Sequence, residues 1–296
     1  MLKKLFSYSI AVALIITLTG PAYATDKDKP SAAFFETSWT TMSNLKNWSE
    51  TCKITISTIT IVGQTTPEQK AVLDIFSKAF RLFQKKYTDI YNLTDKLLYS
   101  FGEKVDTLTP IGEVGQITND ELTAKINSSN KASGKIILSN NDIYFGEGQM
   151  PSWKKFTDSE LATSMWTSIN ESIGQKYEKA SFVFSKWGIK KKTAIYNGRV
   201  SAEETKSIIK NLFGPGLEEG QQQAKITATI NANTKLWDKI QTTATVISGV
   251  MKFTIRESCT VTTKASKVKI TVPTIFEELE KTTGANQLME FVLKVF

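Results

Sequence analysis

The sequence predicts an α+β fold. It has one antiparallel sheet made from N-terminal and C-terminal strands, covered by a long amphipathic helix, with a mainly helical central insertion. Three observations carry this. Runs of β-branched residues with partial alternation lie near both ends, KITISTITIV from Lys53 and MKFTIRESCTVTT from Met251. A stretch from Pro67 to about residue 99 repeats apolar residues at helical spacing. The chain's two cysteines, Cys52 and Cys259, sit in the two end runs, so a bond between them ties an early strand to a late one.

The first 24 residues stand apart. Lys3 and Lys4 precede an apolar run from Leu5 to Leu18, and Gly20-Pro21-Ala22-Tyr23-Ala24 follows, a break and an A-x-A site. This is the three-part layout of a cleaved signal peptide. It leaves 25–296 as one α+β domain, with 101–223 as an inserted subdomain. Export places the protein in the periplasm or outside the cell.

The elements follow in order. Residues 38–48 form a short helix with Trp39, Met42, Leu45 and Trp48 on one face, and the first strand covers 52–62. Thr66-Pro67-Glu68-Gln69 starts the long helix, 67–99. Its apolar face carries Val72, Leu73, Phe76, Phe80, Phe83, Tyr87, Ile90 and Leu97, and its polar face carries Lys78, Arg81, Lys85, Asp89 and Lys96. A short helix is placed at 119–126. Strands at 135–139 and 142–145 flank the turn Asn140-Asn141. Thr157–Glu160 caps a helix that buries Leu161, Met165, Trp166 and Ile169. Residues 182–187 and 193–196 make a hairpin around Gly188. Ser201–Glu204 caps a helix that ends at Gly214-Pro215. Three alternating strands follow, over 226–230, 251–261 and 268–272, with a helix over 234–250. Short helices at 274–281 and 285–296 close the chain.

Two cysteines in an exported chain, with none left over, pair as one disulfide. There is no C-x-x-C pair, and the absence of histidine removes Cys-His chemistry, Ser-His-Asp triads and most zinc sites. No cofactor, metal site or catalytic residue is predicted. Ser-x-x-K occurs at Ser128–Lys131 and Ser152–Lys155, but no K-T-G accompanies it, and such matches are frequent in a chain rich in Ser and Lys. The formal charge of +8 becomes +6 without Lys3 and Lys4. That balance suits solubility, or an anionic envelope component such as a glycan or lipid headgroup, rather than nucleic acid.

Two stretches are candidate binding sites. In NNDIYFGEGQMPSW, Asn140, Asp142 and Glu147 can bond hydroxyls, while Tyr144 and Trp153 can stack on a sugar face. The basic run beside Trp187, formed by Lys190, Lys191 and Lys192, can hold an anion. The expected function is an exported, soluble, non-catalytic binding or assembly protein of the bacterial envelope or extracellular space. Its partner would be an unknown protein or an anionic envelope component. Two alternatives stand beside it. One is a glycan hydrolase using Asp142 and Glu147, whose carboxyl groups must then lie about 5–10 Å apart. The other is a membrane-active factor using the 67–99 helix.

Overall fold

The computed structural model describes residues 30–62, 64–67, 70, 74, 77, 84–106, 130–176, 182–188, 190, 192–200, 222–248, 251–263 and 269–295. The expected signal peptide, the helices placed at 119–126 and 201–213, and Val268 lie outside them. The protein is mostly β. Twelve strands form one sheet: β1 (Asn47–Ile61), β2 (Gln84–Asn92), β3 (Leu97–Asp106), β4 (Asn130–Ser139), β5 (Asp142–Glu147), β6 (Lys154–Thr157), β7 (Val183–Trp187), β8 (Thr193–Val200), β9 (Gln222–Asn231), β10 (Trp237–Ser248), β11 (Met251–Thr262) and β12 (Glu277–Glu278). The described helices are α1 (Ala32–Ser43), α2 (Ser159–Lys176) and α3 (Lys281–Val295). Pro67, Lys70, Asp74 and Ser77 also carry helical backbone.

The strand order is β12-β6-β5-β4-β3-β2-β1-β11-β10-β9-β8-β7. Two meanders, β1 to β6 and β7 to β11, meet where β1 pairs antiparallel with β11. Every neighbour is antiparallel except the short parallel pair β12–β6.

This overturns the helix-covered α+β fold. Its long helix gives way to strands from Gln84 onward, and the supposedly helical insertion contributes β4 to β8 to the same sheet. The expected helix at 234–250 is mostly β10, and 274–281 holds β12 instead of a helix. The misreading at 84–99 has a physical cause. Tyr87 and Tyr91 lie four apart, a spacing shared by helical and alternating patterns. The helical reading put Lys85 and Asp89 on a solvated face, yet both are buried. Asn92–Lys96 is a turn: Asn92 Oδ1 accepts from the Asp95 N–H at 3.1 Å, and Lys96 takes a positive φ of 49°.

Alternation assigns every strand one inner and one outer face. On the inner face one row runs Trp48–Tyr91–Leu98–Leu138–Ile143–Phe156 across six strands. All three helices pack on this face. α1 sets Phe35 against Tyr196 and Trp237 at 4.8 and 6.0 Å between ring centres. α3 sets Phe291 against Phe145 at 5.7 Å. α2 buries Ala162, Met165 and Ile169 in the same core. The α2 start is capped by Asp158, whose Oδ1 accepts from the Glu160 and Leu161 N–H groups, each at 3.1 Å. Lys281 bridges to that same oxygen at 3.1 Å and so ties the start of α3 to the start of α2. Between β12 and α3 the chain rounds the β6 edge: Phe276 covers Tyr144 on the outer face, and Gly284 meets Phe156 on the inner one. At the other edge β7 is five residues long, its register shifts between Phe184 and Lys186, and Lys186 is exposed.

Candidate functional site

The disulfide is formed. Cys52 and Cys259 are direct cross-strand partners in the β1–β11 ladder, with Cα atoms 4.0 Å apart. Both sulfur-bearing side chains face inward and are buried. The expected neighbouring strands are therefore adjacent, and the bond sits where the two meanders join.

The stretch 140–153 is a hairpin turn, strand β5 and a returning loop, and its candidate residues separate. Asn140 is in the turn, with φ 53°, and its carbonyl accepts from Trp166 Nε1 at 3.1 Å. Asp142 and Tyr144 point outward. Asp142 Oδ1 accepts from Thr157 Oγ1 at 2.5 Å and lies 3.5 Å from Lys155 Nζ. Tyr144 is covered by Phe276, ring to ring at 5.5 Å, and burial raises its hydroxyl pKa. Trp153 is half-buried, and its carbonyl accepts from the Glu277 N–H at 2.8 Å. Glu147 lies at the far end of β5 on the inner side. Five strand steps of about 3.3 Å put Asp142 and Glu147 roughly 16 Å apart along β5, with their side chains on opposite faces. The structure does not assemble that pair as a hydrolase dyad. The helix of the membrane-active alternative is replaced from Gln84 by β2 and β3.

In the basic stretch, Trp187 packs inward against Phe34 and Phe184, at 6.2 and 5.7 Å. Lys190 and Lys192 are exposed, and Lys191 lies outside the described residues. The indole therefore packs with the aromatic layer under α1.

Glu147 opens onto a groove of about 740 Å³ between the end of β5, the start of β6 and α3. Phe145 and Phe291 form its floor. Its polar walls are charge-balanced. Lys294 Nζ meets Glu147 Oε2 at 2.6 Å, Lys154 Nζ donates to Gln287 Oε1 at 2.9 Å, and Glu290 and Ser152 complete the lining. Met150 stands at the lip, 97 % exposed. Gly146 permits the loop to fold back over β5, because a Cβ there would lie 2.6 Å from Pro151 Cβ.

A second polar feature escaped the sequence analysis. Beside the disulfide the inner face carries Glu50, Lys85, Tyr87, Asp89, Ser100, Thr242 and Glu257, all buried. Glu50 is cross-strand from Asp89, Tyr87 from Cys52, and Lys85 from both Ile54 and Lys104. Tyr87 donates to Glu257 Oε1 at 2.7 Å, and Ser100 donates to Asp89 Oδ1 at 2.5 Å. Alternation in SETCKI, KKYTDIY and RESCTV puts these groups on the cysteine face. That signal was legible once the segments were known to be strands.

Burial and the nearby Lys104 bring the Lys85 pKa down from 10.5 to about 8, against the pull of Glu257 and Asp89. Between pH 8 and 10.5 the unfolded chain then binds more protons than the folded one at this site, so its contribution to stability grows with pH. The slope is about 1.4 kcal/mol per unit and the full span roughly 3 kcal/mol. Tyr87, pushed well up by burial and Glu257, acts with opposite sign above pH 10. Urea unfolding at pH 7, 8.5 and 9.5 should show stability rising, and Lys85→Met should be more stable at pH 7 with a flatter profile. An unchanged slope in Lys85→Met would refute this account.

Comparison with known proteins adds no relative: no family model matches the chain, and no curated protein matches it.

Proposed function

We propose that this chain is an exported, non-catalytic binding protein that holds a short, polar, glycan-like ligand in the groove between β5, β6 and α3. The observation that carries this is the groove's lining. Two lysines and two glutamates balance in charge around an aromatic floor, with an amide and a hydroxyl beside them. Such walls offer donors and acceptors to hydroxyl and acetamido groups without selecting for net charge. The volume suits a unit of two or three sugars. The formed disulfide supports maturation in an oxidising compartment, the periplasm or the exterior. No described helix is long and apolar enough to cross a membrane.

The test is calorimetric titration of the disulfide-bonded protein with di- and tetrasaccharide fragments of peptidoglycan. Glu147→Ala combined with Lys294→Ala is expected to weaken binding about tenfold or more, equivalent to about 1.4 kcal/mol, with thermal unfolding little changed because both groups are more than half exposed. Absence of binding by the parent protein, or equal binding by the double variant, rejects the proposal.

A further inference from the structure

The strands sort their charges by face. On β9, β10, β11, β1 and β2 the carboxylates Glu50, Asp89 and Glu257 turn inward and are buried. The cations turn outward: Lys225, Lys239, Lys252, Arg256, Lys53 and Lys86 share the outer face by register. Five of the six are exposed, together with Thr51 and Thr260, and Lys239 is half-buried among them. Among the described residues none of these six cations makes a side-chain hydrogen bond or ion pair. The other charges in reach are accounted for. Glu103 on β3 pairs with Lys131 at 3.6 Å, Lys135 donates to the Gln149 carbonyl, and Asp238 sits in the β10 bulge beside Asn231. Lys53 and Lys86 are direct cross-strand partners, and Arg256 is diagonal to Lys53 through Thr55. Lys53 and Lys86 repel as direct partners, and the carboxylate registered opposite Lys86, Glu103, is shared with Lys131 at 3.6 Å.

We infer that this outer face is a docking surface for a linear polyanion, a chain carrying repeated carboxylate or phosphate groups. Four strand spacings of about 4.8 Å spread the cations over roughly 19 Å, too far for one small anion to bridge. A membrane surface is the weaker match. The positions between the cations are Thr51, Thr55, Thr88, Thr227, Thr243, Gln241 and Ser258, and the nearest large apolar side chains on this face, Ile247, Ile90 and Phe101, are half-buried and not exposed to enter a bilayer. The same hydroxyl and amide groups can bond a polar chain. The helices α1, α2 and α3 pack on the other side, and Lys53, Lys86, Lys225, Lys252 and Arg256 are exposed. The inference is independent of the groove.

The experiment uses the mature disulfide-bonded chain and immobilised polygalacturonate and polyphosphate, the two arms separating carboxylate from phosphate. The parent should bind at least one polymer at low salt, with affinity falling steeply as sodium chloride is raised. Lys53→Glu with Lys86→Glu and Arg256→Glu should weaken that binding by about tenfold or more and flatten its salt dependence. Lys190→Glu with Lys192→Glu, at the β7–β8 turn, should change it less than about twofold. If the triple variant unfolds, Lys53→Gln alone, which removes one charge at similar size, should still weaken binding measurably. Failure of the parent to bind either polymer overturns the inference. So does unchanged binding by these variants, or capture by phosphatidylglycerol vesicles but not by the polymers.

Discussion

Gly284→Val is expected to detach or distort the C-terminal helix and to cost on the order of 3 kcal/mol or more. A Cβ at position 284 would lie 2.4 Å from Phe156 Cγ and 2.6 Å from its Cβ. Phe156 cannot yield. It is fully buried, paired to Ile143 across β5–β6, and set edge-on to Phe145 at 6.2 Å. Gly284 also lies in the first turn of α3, where its N–H donates to the Glu280 carbonyl at 2.8 Å, so the helix cannot back away without losing its start. Moving α3 would carry Gln287, Glu290, Phe291 and Lys294 out of the groove, so ligand binding should fall with stability. Gly148→Ala is the control. Gly148 has φ +82° with nothing within 4 Å, so its cost should be only the left-handed backbone penalty, about 1 kcal/mol. Urea unfolding of the two variants checks both statements. Equal losses would mean that contact with Phe156 does not set the cost at Gly284.

Cys52→Ala with Cys259→Ala should be the other large effect. The bond spans 207 residues of sequence, and loop-closure entropy alone sets its worth at up to about 5 kcal/mol. Native stabilities of 5–15 kcal/mol leave little after such a loss. Placement adds to length. β1–β11 is the one seam between the two meanders, and both sulfurs are buried beside Ile54, Ile56, Tyr87, Phe253 and Ile255. The variant should unfold at markedly lower urea, and the oxidised parent should lose stability comparably under reductant. A loss below about 1 kcal/mol would show that the hydrogen-bond ladder alone holds the seam.

What the sequence disclosed, and what it hid, follows from how each signal arises. The Cys52–Cys259 pairing was legible because cysteine parity is a global constraint, read together with the expectation of export. The β4–β5 hairpin was legible because Asn140-Asn141 is local turn chemistry, and the helix α2 because Asp158 and its neighbours form a cap. Strand β2 was not, because charged Lys85 and Asp89 sit where a buried face is ordinarily apolar, and only long-range partners such as Ser100 make that tolerable. Strand β10 was hidden for the opposite reason. Its inner residues Ile240, Thr242, Ala244 and Val246 are too small and mixed to stand out from Thr and Gln. The groove needed α3 to meet β5, a contact of residues some 140 positions apart. Sequence reasoning reached Glu147 alone, through its turn-rich surroundings.

The two margins of the sheet are finished differently, and together they limit how the protein meets its own copies. At one margin the carboxy-terminal chain folds around the four-residue strand β6 and occupies bonding positions there. At the other, only a short, irregular strand bearing Lys186 remains. Among the described residues neither side provides a straight run of free amides long enough to recruit another chain. So broad a sheet can therefore stay a discrete particle at high concentration, without lengthening into fibrils.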